Sequence, residues 1–316
     1  MEGATKTMRN INTASGSVNT ENMGITLMHE HVFNLYPYYK EKENTEYVKK
    51  QIEKLMAYNV GTIVDLTPYA KIGSYKNFIN QCDINIVCAM GFFLDKYVPA
   101  SYKNASVSDL VEKLSKKVEI GIGENKYKPG IIKIAASSSK LSDRQMRFFE
   151  AAVILQKKYK IPIATHSPFG GLEHLKTLLQ MGAIPEHIYL SHLENEIDSK
   201  NFDFKIDEIK DVINNHANIV ITNFGANDRG SRYKSSIRLI EYLKKSEFLS
   251  QTLISADSNW RWKGNALKLR DSQFNGAEKT YSYVFDFIIP ALKKVRFTDH
   301  DINQMLISNP KRIFDF

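Results

Sequence analysis

Residues 130–136 read GIIKIAA, an apolar run interrupted only by Lys133. Successive side chains of a β-strand point to opposite faces, so a strand with one face in water alternates apolar and polar residues. A run that is apolar at nearly every position belongs instead to a strand covered on both sides, as in a parallel sheet flanked by helices. Seven other runs share this character: 24–27 (GITL), 61–67 (GTIVDLT), 84–91 (INIVCAMG), 161–166 (IPIATH), 187–192 (HIYLSH), 217–223 (ANIVITN) and 252–257 (TLISAD). Amphipathic stretches lie between them, with apolar residues three and four apart in 46–58, 172–182, 205–216 and 235–246. Ser106 with Asp109 and Ser142 with Gln145 have capping-box spacing, and Gly182 is placed to end a helix. Eight strand–helix units predict a (β/α)8 TIM barrel forming one domain over 1–316, with a short N-terminal extension to about residue 23. A doubly wound open sheet is the alternative, but no Gly-x-Gly-x-x-Gly turn follows the first strand.

The 316 residues are 43 % hydrophobic and 25 % charged, the balance of a soluble globular chain. No apolar run reaches the roughly 18 residues of a membrane span, and the polar N-terminus has no apolar signal-peptide core, so the expected location is cytoplasmic. Cys82 and Cys88 are too few for a disulfide framework, and Cys88 lies in a strand-like run as a small hydrophobe. The net charge of +8 raises the question of nucleic acid. The lysines are spread at helix-surface spacing without a dense basic block, so the expectation is no nucleic-acid and no membrane partner.

In a barrel of this kind chemistry sits at the C-terminal ends of the strands. The first strand runs into His29 and His31, whose His-x-His spacing turns both rings to one face and Glu30 to the other. The fifth strand ends in His166, the sixth in His192 and the eighth in Asp257, while Lys133 lies within the fourth. Each has a bland reading: His166 and His192 as hydrogen-bonded core residues, Asp257 as a helix cap, Lys133 with its ammonium drawn to the rim. Six potential ligands at the mouth of one sheet make a metal centre the better joint reading. His174, His187, His216 and His300 fall elsewhere and are assigned to structure.

The segments GITLMHEH, GIIKIA, THS, SHLEN, SAD and ISNPKRIF, in this order from about Arg9 to Phe314, resemble the phosphotriesterase-like family of the amidohydrolase superfamily. The resemblance implies an amidohydrolase-like barrel with two divalent ions, zinc first and manganese or cobalt as alternatives. It places His29, His31 and Asp257 on the more buried ion and His166 and His192 on the more exposed one. Lys133 would be N6-carboxylated and bridge both, which turns a cation in an apolar strand into an anionic oxygen ligand. Two such ions can share a hydroxide that attacks a carbonyl, with Asp257 as the proton acceptor. The implied activity is lactone hydrolysis, and a homodimer is the family's common state.

After the seventh and eighth runs come GANDRGSRYKSS and DSNWRWKGNALKLR. Arg232, Tyr233, Lys234, Arg261 and Lys263 suit an anionic substituent, which resembles the branch acting on phosphorylated sugar 1,4-lactones; ordinary solvated basic residues are the alternative. Tyr97 and Phe92 are candidate pocket walls. Asn195 stands where organophosphate-hydrolysing members carry Asp, with Glu194 one residue earlier, which argues against a dedicated phosphotriesterase. The competing readings are an esterase, amidase or acyl-homoserine lactonase on the same centre, and a binding protein that has lost the chemistry.

Overall fold

Each of the eight apolar runs forms a strand of one sheet. The structure, a computed structural model, describes residues 9–32, 41–68, 75, 79, 82–197, 202–224, 230–258, 260–263, 266–269 and 280–316, with backbone alone at 41–45, 47, 203, 204, 260–263 and 266–269. An antiparallel hairpin, β1 (Asn10–Thr13) and β2 (Gly16–Asn19), precedes the sheet. The sheet follows in chain order: β3 (Ile25–Glu30), β4 (Val60–Asp65), β5 (Asn85–Gly91), β6 (Ile131–Ala135), β7 (Ile163–His166), β8 (Ile188–Ser191), β9 (Asn218–Ile221) and β10 (Thr252–Ile254). Neighbours pair in parallel from β3 to β10. The ends meet outside the regular ladder: Asp257 N–H donates to the His29 carbonyl (3.0 Å) and His31 N–H to that of Ser258 (3.1 Å). The result is a nearly closed (β/α)8 barrel. A second hairpin, β11 (Trp260–Lys263) and β12 (Ala266–Leu269), follows the last barrel strand.

Helices α1 (Glu41–Met56), α2 (Ala100–Lys103), α3 (Val107–Glu119), α4 (Asp143–Tyr159), α5 (Gly171–Gln180), α6 (Phe202–Asn214) and α7 (Ser231–Lys245) connect the strands. Then come α8 (Ile289–Lys294), entered through a π turn at Val284–Ile288, and α9 (Asp299–Asn303) and α10 (Asn309–Phe314), joined by a second π turn. Both predicted capping boxes form, at Ser106 and Ser142, and Gly182 takes the left-handed conformation (φ +83°) past α5. Among the described residues no helix is long and apolar enough to cross a membrane.

Side chains divide by strand face. Leu27, Ile63, Ile132, Ile134, Ile163 and Leu190 pack outward against the helices, while Met28, Val64, Val87, Ile131, Ala164, Tyr189, Val220 and Leu253 fill the interior. Ile11, Ile313 and Phe314 join the interior group and plug its N-terminal end, so the opposite end alone is left for chemistry. Burying each such side chain is worth roughly 1.5–3 kcal/mol, so the barrel is a rigid frame for what stands on its rim.

Candidate metal centre

The interior plug directs attention to the strand C-termini, where five of the six predicted ligands lie; Lys133 sits inside β6. Strict alternation from the inward Met28 would turn His29 outward. A register irregularity against β4 between Leu27 and Glu30 resets the phase, and both rings face inward with centroids 5.6 Å apart. His192 follows the inward Ser191 and would likewise point out of a regular strand. Its left-handed backbone (φ +72°) swings it to within 4.9 Å of His29 and 4.6 Å of His166, ring to ring. Asp257 is also left-handed, at φ +46°. Non-glycine residues rarely hold this conformation, and where they do it clusters at functional sites.

Asp257 is the hub. Its Oδ1 lies 3.3 Å from His31 Nε2 and 3.6 Å from His29 Nε2, and its Oδ2 lies 4.0 Å from His192 Nε2. Burial opposes its charge, but the facing imidazoles of His29, His192 and His31 outweigh it and hold the carboxyl well below its ordinary range. His29 and His166 are pushed well below theirs, first by burial and then by the basic side chains beside them, Lys133 and His192 among them, which leaves neutral imidazoles suited to metal ligation. Among the described residues, donor atoms of His29, His192 and Asp257 all lie within 4.8 Å of one another, a group that could hold an ion. It crosses the division of ligands between two ions that the resemblance implied.

Three rings are oriented from behind by hydroxyls. His29 Nδ1 lies 2.8 Å from Ser191 Oγ, His31 Nδ1 2.9 Å from Thr67 Oγ1, and His192 Nδ1 2.9 Å from Thr222 Oγ1. Thr222 donates onward to the buried Glu194 (3.2 Å), so its oxygen accepts the His192 Nδ1 proton and the Nε2 lone pair is left facing the centre. Asp65, fully buried, accepts from Val32 N–H, Thr67 N–H and the Tyr75 hydroxyl and backs His31 in the same way. Strand-end Ser and Thr were the available signal in the sequence for these supports.

Lys133 is 1 % exposed, and among the described residues its Nζ has no hydrogen-bond partner. Burial pushes its amine down to about 7, with Asp257 pulling the other way. A buried amine without an acceptor is costly as an ammonium. It fits a group that is converted to an anion and completed by cations, so the residues present suit a carboxylated lysine between two ions. Its strand is held close to β5 because Gly91 (φ +121°) has no Cβ; one built there would stand 2.1 Å from the Lys133 carbonyl oxygen.

The predicted substrate residues are more dispersed. Phe93 meets His166 edge-on (5.3 Å), and Tyr97 stacks on Phe93 (5.6 Å), so Tyr97 reaches the centre through a neighbour. Phe92 is not a pocket wall: it is buried against Phe148 between sheet and helices, because the wall position falls one residue later. Arg232 and Lys234 are exposed on the first turn of α7, where the Tyr233 hydroxyl donates to the Phe287 carbonyl (3.4 Å). Arg261 and Lys263 lie on β11, but their side chains fall outside the described residues. Asn195 accepts from the Asn223 amide, a pair with no titratable proton to relay.

Among known proteins, the model of the Phosphotriesterase family matches residues 9–314. An aryldialkylphosphatase of Saccharolobus solfataricus is 25 % identical over 94 % of this chain and 97 % of its own length. A phospho-furanose lactonase of Mycoplasmopsis agalactiae is 27 % identical over 97 % of this chain and 91 % of its own. The crystal structure of a mutant PTE-like lactonase of Deinococcus radiodurans shares the fold with a TM-score of 0.85, at 23 % identity, covering 96 % of this chain and 99 % of that one. The chain therefore belongs to the phosphotriesterase family, a family of binuclear metal hydrolases.

Proposed function

We propose that the protein is a lactonase that opens phosphorylated sugar 1,4-lactones at a centre of two divalent ions, zinc first. His29, His31 and Asp257 would hold one ion, His166 and His192 the other, and carboxylated Lys133 both. The observation that carries the metal-dependent reading is the orphaned Lys133 Nζ, buried beside a carboxylate and neutral imidazoles. When bound, the ions supply an activated water and a Lewis acid for the carbonyl. Asp257, held anionic, takes the proton of the attacking water and returns it to the ring oxygen as the acyl C–O bond breaks. That oxygen stays tethered to the product, so no separate leaving group has to be accommodated. Phe93 and Tyr97 would form the apolar wall beside His166.

The phosphorylated sugar rests on two supports: relatives named phospho-furanose lactonases, at 25 % and 27 % identity, and the cationic residues Arg232 and Lys234 on α7 and Arg261 and Lys263 on β11. The test is hydrolysis of five- and six-carbon 1,4-lactones, each with and without a terminal phosphate, beside an aryl phosphotriester and an N-acyl amide. Zinc-loaded wild type and Lys133→Ala are compared. A preference for phosphorylated lactones, lost in the variant, supports the reading. Turnover confined to uncharged esters or amides keeps the metal centre and removes the phosphate site.

A further inference from the structure

The acid of the HEH triplet does not face the centre. Glu30 is fully buried, and its carboxylate reaches across the seam where β3 meets the end of β10. Its Oε1 accepts from Ser255 Oγ (2.7 Å) and Ala256 N–H (2.7 Å), and its Oε2 accepts from Ser258 N–H (2.8 Å). These donors lie on both sides of Asp257 in the chain. Ser255 Oγ also accepts from His29 N–H (2.9 Å), so one hydroxyl ties the clasp to the first histidine. With Asp257 N–H on the His29 carbonyl and His31 N–H on the Ser258 carbonyl, these bonds join the two strands where a regular ladder is lacking.

Asp257 has a left-handed backbone, uncommon for a residue other than glycine, at the point where its carboxylate meets His29 and His31. We propose that Glu30 is a positioning residue: by gripping both flanks of Asp257 it sets that carboxylate and makes closure of the barrel seam and assembly of the His29–His31–Asp257 ion site a single event. The inference rests on the binuclear reading above. It requires a carboxylate, because the Ala256 and Ser258 N–H groups can only donate and a carboxylate can only accept. A glutamine that kept its oxygen on Ser255 and Ala256 would turn its NH2 against the Ser258 N–H, leaving a buried donor unmet. His166 ends β7 and His192 follows β8, and neither is among the groups that Glu30 grips, so the effect falls on the ion that Asp257 would hold and spares the other.

The experiment compares wild type, Glu30→Gln and the milder Ser255→Ala, each shown to be folded by circular dichroism. Bound zinc is counted by elemental analysis, and affinity is read by competition with a chromophoric chelator. Amide exchange at Asp257 and Ser258 is followed in metal-depleted protein, which reads the clasp without any ion. The expected result is two zinc ions in wild type and one retained at wild-type affinity in Glu30→Gln, the other weakened at least about tenfold. Exchange at the two amides should be at least about tenfold faster, with Ser255→Ala intermediate. Unchanged exchange in both variants overturns the clasp, and so does a folded Glu30→Gln that keeps both ions or loses both. A wild type that binds fewer than two ions, with the exchange difference intact, overturns the binuclear reading and leaves the clasp standing.

Discussion

At the level of single residues, a hydroxyl behind a histidine orients its ring, and Ser191, Thr67 and Thr222 stand there behind His29, His31 and His192. Thr222→Val keeps the shape and removes the hydroxyl that faces His192 Nδ1 and donates to Glu194. Zinc affinity should fall about 10–100-fold and return in Thr222→Ser, as measured by chelator competition. Wild-type affinity in the valine variant would mean that packing alone orients His192. His-x-His and the other ligand candidates were legible because strand alternation and strand ends are local properties. Their supports were not, because Thr67 and His31, or Thr222 and His192, meet only after about thirty or more residues of intervening chain have folded.

The strand–helix units explain why the candidate ligands fall where they do. β6 can carry Lys133 inward because Ile132 and Ile134 take the outward face, and β5 approaches it closely because position 91 is glycine. Gly91→Ala would force a Cβ onto the Lys133 carbonyl in a backbone conformation that disfavours any side chain. The change should destabilise the protein by about 3 kcal/mol or more, measured by urea unfolding, and should lower bound zinc as β6 shifts. The eight strands and two capping boxes were readable from apolar runs and Ser-x-x-Asp/Gln spacing. The β3 register irregularity and the left-handed His192 were not, because each answers to neighbouring strands and no local residue preference announces it.

For the molecule as a whole, the barrel gathers groups that burial makes costly: neutralised imidazoles, a buried amine without a partner among the described residues, and buried carboxylates. Burial pushes the Lys133 amine down to about 7 and the His29 and His166 imidazoles well below their ordinary range, so cations bound there would relieve unfavourable terms of the ion-free centre. Ligands that bind only the folded state add stability by mass action, about 2.7 kcal/mol per site at a hundredfold excess over Kd. Chelation should therefore lower the Tm by several degrees, and zinc with bicarbonate should restore it in wild type but not in Lys133→Ala. Equal melting with and without zinc would remove the metal centre from consideration.

The chain alone determined the barrel and its candidate ligands, because continuous apolar runs, helical periodicity and residues at strand ends are short-range features of covalent order. The tertiary structure alone decided what Glu30 does. Its partners lie 225 to 228 residues along the chain, and only closure of the first strand against the last brings their donors to one carboxylate.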